Sequence, residues 1–251
     1  MTELELIIDL FKDTDRQGPG STENTARALG FVEADLSAPM QIADIGCGSG
    51  AQTLALAQHT GGHITAVDLF PEFLDRLNAR ATNTGLRHRI TTLQASMENL
   101  PFQQEQFDII WSEGAIYNMG FSEGIKAWKR FLKPGGYLAV SEITWTTHTR
   151  PAEIEQHWQR EYPQTDTASA KIKLLEENGY MPVGYFTLPV NSWLQQYYLP
   201  LQALFPAFLA RHGHSSQAVA VVEAQRSETE LYQRYKSYYS YGFYVARKLQ
   251  G

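Results

Sequence analysis

The stretch Ala43-Asp44-Ile45-Gly46-Cys47-Gly48-Ser49-Gly50 carries the densest chemical signal in the chain. Closely spaced glycines let a strand turn sharply into a helix and let a ligand lie against bare backbone. The helix beyond begins with free N–H groups that favour negative charge. Eighteen residues after Gly50 comes Asp68, at the end of a second apolar strand. A carboxylate in that place can accept hydrogen bonds from both hydroxyls of a ribose. Gly46-x-Gly48-x-x-Ala51 also satisfies the dinucleotide pattern G-x-G-x-x-G/A, so the glycine loop alone leaves an NAD-linked oxidoreductase open. Three further features stand beside it: Asp44 two residues before the first glycine, Trp111-Ser112-Glu113-Gly114 after a later strand, and Leu132-Lys133-Pro134-Gly135-Gly136 before the next.

The elements that position these residues alternate. Strands are expected at Gln41–Ile45, His63–Leu69, Ile90–Ala95, Phe107–Ser112 and Tyr137–Glu142. Helices are expected over Ala51–Gln58, from Pro71 to near Gly85, and over Ser122–Leu132. Pro71 suits a first helical turn, and Phe73, Leu74 and Leu77 share one face. Pro134-Gly135-Gly136 reads as a turn. Such alternation implies a parallel sheet covered by helices on both faces. After Thr144 it weakens: a helix over Thr167–Asn178 with Gly179 as its cap, a strand over Tyr180–Val190, a helical and aromatic stretch over Ser192–Arg226, and a Tyr-rich closing strand within Tyr235–Lys248.

The bulk properties exclude some functions. The chain has 251 residues, 43% hydrophobic and 19% charged, which is globular composition for one α/β domain with an elaboration. A formal charge of -6, with no Lys/Arg run longer than two, disfavours a nucleic-acid partner. One cysteine, Cys47, forms no internal disulfide and no cysteine cluster, and none of the seven histidines sits in a ligand motif, so no metal is expected. The N-terminal residues suit an amphipathic helix rather than a signal peptide, and no apolar run approaches a membrane span; a cytoplasmic protein is expected.

Four motifs in order, A-D-I-G-C-G-S-G, A-V-D-L, E-N-L-P-F and L-K-P-G-G-Y-L, resemble those of class I S-adenosylmethionine (SAM)-dependent methyltransferases over about 41–142. The chain looks most like their small-molecule branch, which includes ubiquinone- and menaquinone-type enzymes. The run Arg16-Gln17-Gly18-Pro19-Gly20-Ser21 also occurs in an uncharacterised group similar to this chain.

The resemblance implies a Rossmann-like three-layer α/β sandwich with a seven-stranded, mostly parallel sheet, its last strand antiparallel. It implies SAM as cofactor and S-adenosylhomocysteine (SAH) as product. Asp44, Gly46, Gly48 and Gly50 would shape the pocket for the methionine half, with Cys47 and Ser49 lining it. Asp68 would hold the ribose, Leu69 would lie against the adenine, and Ser96 and Met97 would meet the adenine edge. Glu113 would approach the sulfonium end. Gln17, Gly18, Gly20 and Ser21 belong to a segment that would cover the carboxylate. Ser96 departs from the acid that the family usually has there, which shifts adenine recognition toward backbone groups or Glu98.

Methyl transfer from an activated sulfonium needs mainly alignment, plus a general base for hydroxyl or carbon acceptors. Glu113 and Tyr117 are the candidate catalytic residues; Asn118, Glu142, His148 and His157 are further candidates. The expected organisation is an N-terminal helical cap (1–40) and a SAM-binding domain (41–251) with insertions at about 145–165 and 192–232. The aromatic C-terminal region suits an acceptor pocket or a homodimer. The leading expectation is methyl transfer to a small-molecule acceptor (EC 2.1.1.-). A non-catalytic SAM-binding or interaction protein is the alternative, and an NAD-linked oxidoreductase the next.

Overall fold

The computed structural model of the chain describes residues 1–250. Its first half follows the alternating pattern: β1 (Gln41–Ile45), α3 (Ala51–His59), β2 (His63–Asp68), α4 (Pro71–Asn83), β3 (Ile90–Gln94), β4 (Phe107–Glu113), α5 (Phe121–Lys129) and β5 (Leu132–Trp145). Before it stand α1 (Glu3–Phe11) and α2 (Thr22–Leu29); after it come α6 (Ala152–Glu161), β6 (Asp166–Thr167), α7 (Ala168–Glu177), β7 (Tyr180–Thr187), α8 (Val190–Trp193), α9 (Leu199–Arg211), α10 (Ser216–Tyr235) and β8 (Tyr239–Lys248).

The sheet runs β3-β2-β1-β4-β5-β8-β7, with β6 paired to the end of β5. β3, β2, β1, β4 and β5 are parallel, and β8 inserts antiparallel between β5 and β7. This is the expected Rossmann-like α/β fold. The apolar strand residues explain it: Ile42, Ala43 and Ile45 of β1 and Ile109, Ile110 and Trp111 of β4 are all buried, as strands covered on both faces must be. The order reverses between β1 and β4, which opens a crevice beyond their C-terminal ends.

Several boundaries differ from the sequence expectations. β5 begins at Leu132, not Tyr137, and absorbs Pro134-Gly135-Gly136. The register against β4 shifts between Phe107 and Ile109, and Gly135 takes φ +75°, so the turn signal is spent on a bulge. β6 was not expected: two residues have no periodicity to detect. β7 ends at Thr187, before Pro189. The stretch 192–232 holds a π-helical turn over Leu194–Tyr198 and two helices, α9 and α10.

Residues 1–40 serve two cores. Ala28, Leu29 and Val32 join the core with β1 and α3. Leu6, Leu10 and Phe11 of α1 join an aromatic cluster with Trp193, Tyr197, Phe205 and Phe208. The link between α1 and α2 reaches the glycine loop, because Gln17 hydrogen-bonds to Ser49 and Arg16 pairs with Glu113. No helix among the described residues is long and apolar enough to cross a membrane.

Candidate functional site

A cleft of about 520 Å³ opens at the crevice, within the range of small-molecule sites. Arg16, Gln17 and Gly18 form one wall, Gly46 to Gly48 the floor, Asp68 and Leu69 one end with Ser96 and Met97, and Glu113 and Tyr117 the other side.

Two glycines on the floor are required by space. Gly46 has φ +75°, and a Cβ there would stand 2.3 Å from the Ala115 Cβ. Gly48 has φ +52°, and a Cβ there would stand 2.1 Å from Gln17 Oε1. That oxygen accepts the Ser49 N–H at 2.7 Å, while Gln17 Nε2 donates to Ser49 Oγ at 3.0 Å and to the Phe11 carbonyl at 3.1 Å. Gln17 thereby latches the N-terminal segment onto the glycine loop.

Asp68 is held by backbone. Its Oδ2 accepts the Gly48 N–H at 2.8 Å and its Oδ1 the Phe70 N–H at 3.0 Å. Burial raises its pKa, and the backbone N–H groups oppose that rise. Both oxygens keep lone pairs for a diol. Ser96 Oγ accepts the Glu98 N–H at 3.3 Å, and Trp128 donates to the Met97 carbonyl at 3.2 Å, fixing the loop after β3.

Glu113 is fixed by three donors: Arg16 Nη1 at 3.0 Å, Thr25 Oγ1 at 2.6 Å and Trp111 Nε1 at 2.9 Å. The Arg16 and Glu113 side chains are only 8% and 4% exposed, so this is a buried ion pair. The geometry makes Glu113 a fixed negative wall rather than a free base. Arg16 Nη2 is buried with no protein partner. A buried, unpaired guanidinium nitrogen in a cleft wall fits an anionic group of a ligand. Sequence reasoning singled out the run containing Arg16 but not Arg16 itself; its charge beside three small residues was the available signal.

Other expected residues stand behind the wall. Asp44 is fully buried and accepts from Thr53 Oγ1 at 2.5 Å and Gln52 Nε2 at 3.4 Å. Burial, with the charges of Glu113 and Asp68, pushes its pKa to about 7. Ser49 is fully buried and donates to the Thr14 and Asp15 carbonyls at 2.9 Å. Gly50 caps α3 at φ +85° against Leu77. Ser21 caps α2, with its Oγ accepting the Asn24 N–H at 3.2 Å. Gly20 makes room for the ion pair: a Cβ there would stand 2.7 Å from Arg16 Nη1. These five act through the residues that do line the cleft.

Tyr117 sits in the cleft 45% exposed, on a 3-10 turn, with its ring 6.1 Å from that of Tyr162. Asn118 lines the same side. Glu142 lies deeper: its Oε2 accepts from Tyr162 at 3.3 Å, burial pushes its pKa to about 7, and the nearby Lys171 charge opposes that. His148 is exposed, and His157 rests on Trp158; neither lines the cleft. Among the described residues no group of three or more His, Cys, Asp or Glu side chains is placed to hold a metal ion.

Residues 43–140 match the family model described as a methyltransferase domain. The chain is 31% identical over 150 residues to "Methyltransferase GfsG" of Streptomyces halstedii, covering 55% of this chain and 54% of that one. It spans about half the length of the curated relatives first matched. A SAM-dependent methyltransferase from Geobacter sulfurreducens, solved in complex with SAH, shares the fold with a TM-score of 0.84 at 16% identity, over 96% of this chain and 97% of that one. The [4+2]-cyclase SpnF shares it with a TM-score of 0.76 at 19% identity, over 98% and 94%. Residues 43–140 thus match a methyltransferase domain, and the chain shares the fold of these solved structures.

Proposed function

We propose that this protein transfers a methyl group from SAM to a small-molecule acceptor. One observation carries the reading: a single cleft joins a bare glycine floor, a backbone-held Asp68 and an orphaned Arg16 nitrogen. Those three features match a methionine backbone, a ribose and a carboxylate. SAM supplies a methyl group already activated on a sulfonium, so the chain's task is alignment.

In this reading Arg16 Nη2 holds the methionine carboxylate, and Gly46 to Gly48 let its backbone approach. Asp68 accepts both ribose hydroxyls. Leu69, Ser96 and Met97 enclose the adenine. Glu113, fixed and negative, faces the cationic end of the cofactor, and Tyr117 positions the acceptor. The kinship to quinone-type enzymes and to the R-Q-G-P-G-S group rests on sequence motifs alone; it supports a small acceptor and a cytoplasmic setting. The argument for a homodimer weakens, because Trp193, Tyr197, Tyr198 and Phe208 are buried within one chain.

The test follows label from methyl-labelled SAM into a small-molecule extract, with wild type and Asp68→Ala in parallel. Label uptake by wild type alone supports transfer. Tight SAM binding with no uptake from any extract favours the second reading, a SAM-binding protein without transfer. The fixing of Glu113 by three donors, and the likeness to a cyclase fold, favour that second reading.

A further inference from the structure

A second cavity, of about 600 Å³, opens behind the link between α1 and α2. That link is a partition. Gln17 and Gly18 line only the cofactor cleft, Asp13 to Asp15 line only the second cavity, and Arg16 borders both. The other walls come from three helices: Leu54 of α3, Arg76 and Arg80 of α4, and Pro200 and Leu204 of α9. Gln58 and Thr84, both exposed, add neutral hydrogen-bonding groups.

Arg76 and Arg80 stand one turn apart on α4, so they share a face. Arg80 is committed at one nitrogen: Nη1 donates to the Asp15 and Ser49 carbonyls at 2.9 Å each. Its Nη2 has a loose 3.5 Å contact with Asp15, whose side chain is 74% exposed. Arg76 is exposed and forms no ion pair among the described residues. Asp13, the other acid of the wall, lies 3.9 Å from Arg211 instead. Burial lowers the pKa of Arg80, Asp15 opposes that, and the like charges of Arg76 and Arg16 add to it. Positive charge at this wall is therefore only partly answered by the protein.

Guanidinium groups bind carboxylate and phosphate oxygens through forked, charge-assisted hydrogen bonds. Leu54, Pro200 and Leu204 offer apolar surface beside them, and the volume suits a small organic molecule. We propose that this cavity is an effector site for a small organic anion, a carboxylate or phosphate monoester with an apolar body, held by Arg76 and Arg80. Arg80 links it to the cofactor cleft. Its Nη1 ties the partition at Asp15 to the glycine loop at Ser49, the residue that Gln17 latches from the cleft side. An anion that fixes Arg80 steadies both, so each ligand tightens the other by the same factor.

The experiment is calorimetric titration with phenyl phosphate, phenylacetate, inorganic phosphate and benzyl alcohol, on protein whose cofactor cleft is filled by saturating SAH. At least one organic anion should bind about tenfold or more tighter than benzyl alcohol and inorganic phosphate, the low end for one charge-assisted hydrogen bond. Whichever of phenyl phosphate and phenylacetate binds tighter names the anionic group. Arg76→Ala, at an exposed position, should weaken that anion about tenfold or more, whereas Lys173→Ala, a cation outside the cavity, should leave it unchanged. In wild type the bound anion should tighten SAH about fivefold or more, the low end of allosteric coupling, and in Arg76→Ala it should not. No binding of either organic anion, equal binding of the alcohol, an equal loss in Lys173→Ala, or SAH affinity unmoved by the anion would overturn the proposal. If SAH itself does not bind, the cofactor reading fails by itself, and the anion titrations on free wild type and Arg76→Ala still decide whether the site exists.

Discussion

Replacing Arg16 by Met separates two roles that the structure gives one side chain. Its Nη1 holds Glu113 in an ion pair that is almost fully buried, and its Nη2 has no protein partner. Removing one member of a buried pair costs about 3–5 kcal/mol. Glu113 keeps the Thr25 and Trp111 donors, so the low end, about 3 kcal/mol, applies. For a chain of this size that lowers Tm by roughly 6–12 °C. The ligand effect is separate: losing one charge-assisted hydrogen bond, worth about 1.5–3 kcal/mol, weakens SAH binding by about 10- to 150-fold. 5′-Methylthioadenosine, which lacks the carboxylate, should bind Arg16→Met and wild type within about threefold. Calorimetry well below the variant's Tm reads both ligands on folded protein. Equal losses for the two ligands, or no loss for either, would refute the carboxylate role of Arg16.

Three further outcomes follow from the site. Asp44 has a folded pKa near 7 against 3.8 unfolded, so its bound proton stabilises the fold fully below pH about 4, and that contribution is lost as pH rises through 7. Asp44→Asn should flatten the decline in Tm between pH 5 and pH 8; an unchanged slope would show that Asp44 is not held protonated. Gly46→Ala places a methyl group 2.3 Å from the Ala115 Cβ at positive φ, for a loss of about 2–4 kcal/mol in denaturant unfolding; adding Ala115→Gly should recover part of it, and full additivity would refute the steric account. Tyr117→Phe, at an exposed cleft position, should shift Tm by less than about 1 °C and leave SAH affinity within twofold while slowing transfer to the acceptor; a matching fall in SAH affinity would place Tyr117 on the cofactor instead.

The first four strands, the glycine loop and Asp68 were legible because each is a local pattern: an apolar run, a turn chemistry, an acid at a strand end. The start of β5 was not, since Pro134-Gly135-Gly136 has the local grammar of a turn and only pairing with β4 converts it to a bulge. The state of Glu113 was hidden for a related reason. Its partners Arg16 and Thr25 lie 97 and 88 residues away, and no periodicity spans such distances. Asp44 and Gly50 are expected to shape the pocket and Ser49 to line it because they neighbour lining residues in sequence. The strand-to-helix turn lays Gly46 to Gly48 along the cleft floor and leaves Asp44, Ser49 and Gly50 on the protein side of it.

The most direct test of the central claim is a side-by-side calorimetric titration of wild type and Asp68→Ala with SAH and NADH. Wild type should bind SAH and not NADH. Loss of the Asp68 carboxylate, whose oxygens are held ready by the Gly48 and Phe70 amides, should weaken SAH by about 10- to 150-fold. Binding of NADH in preference to SAH, or SAH affinity indifferent to Asp68, would contradict the account.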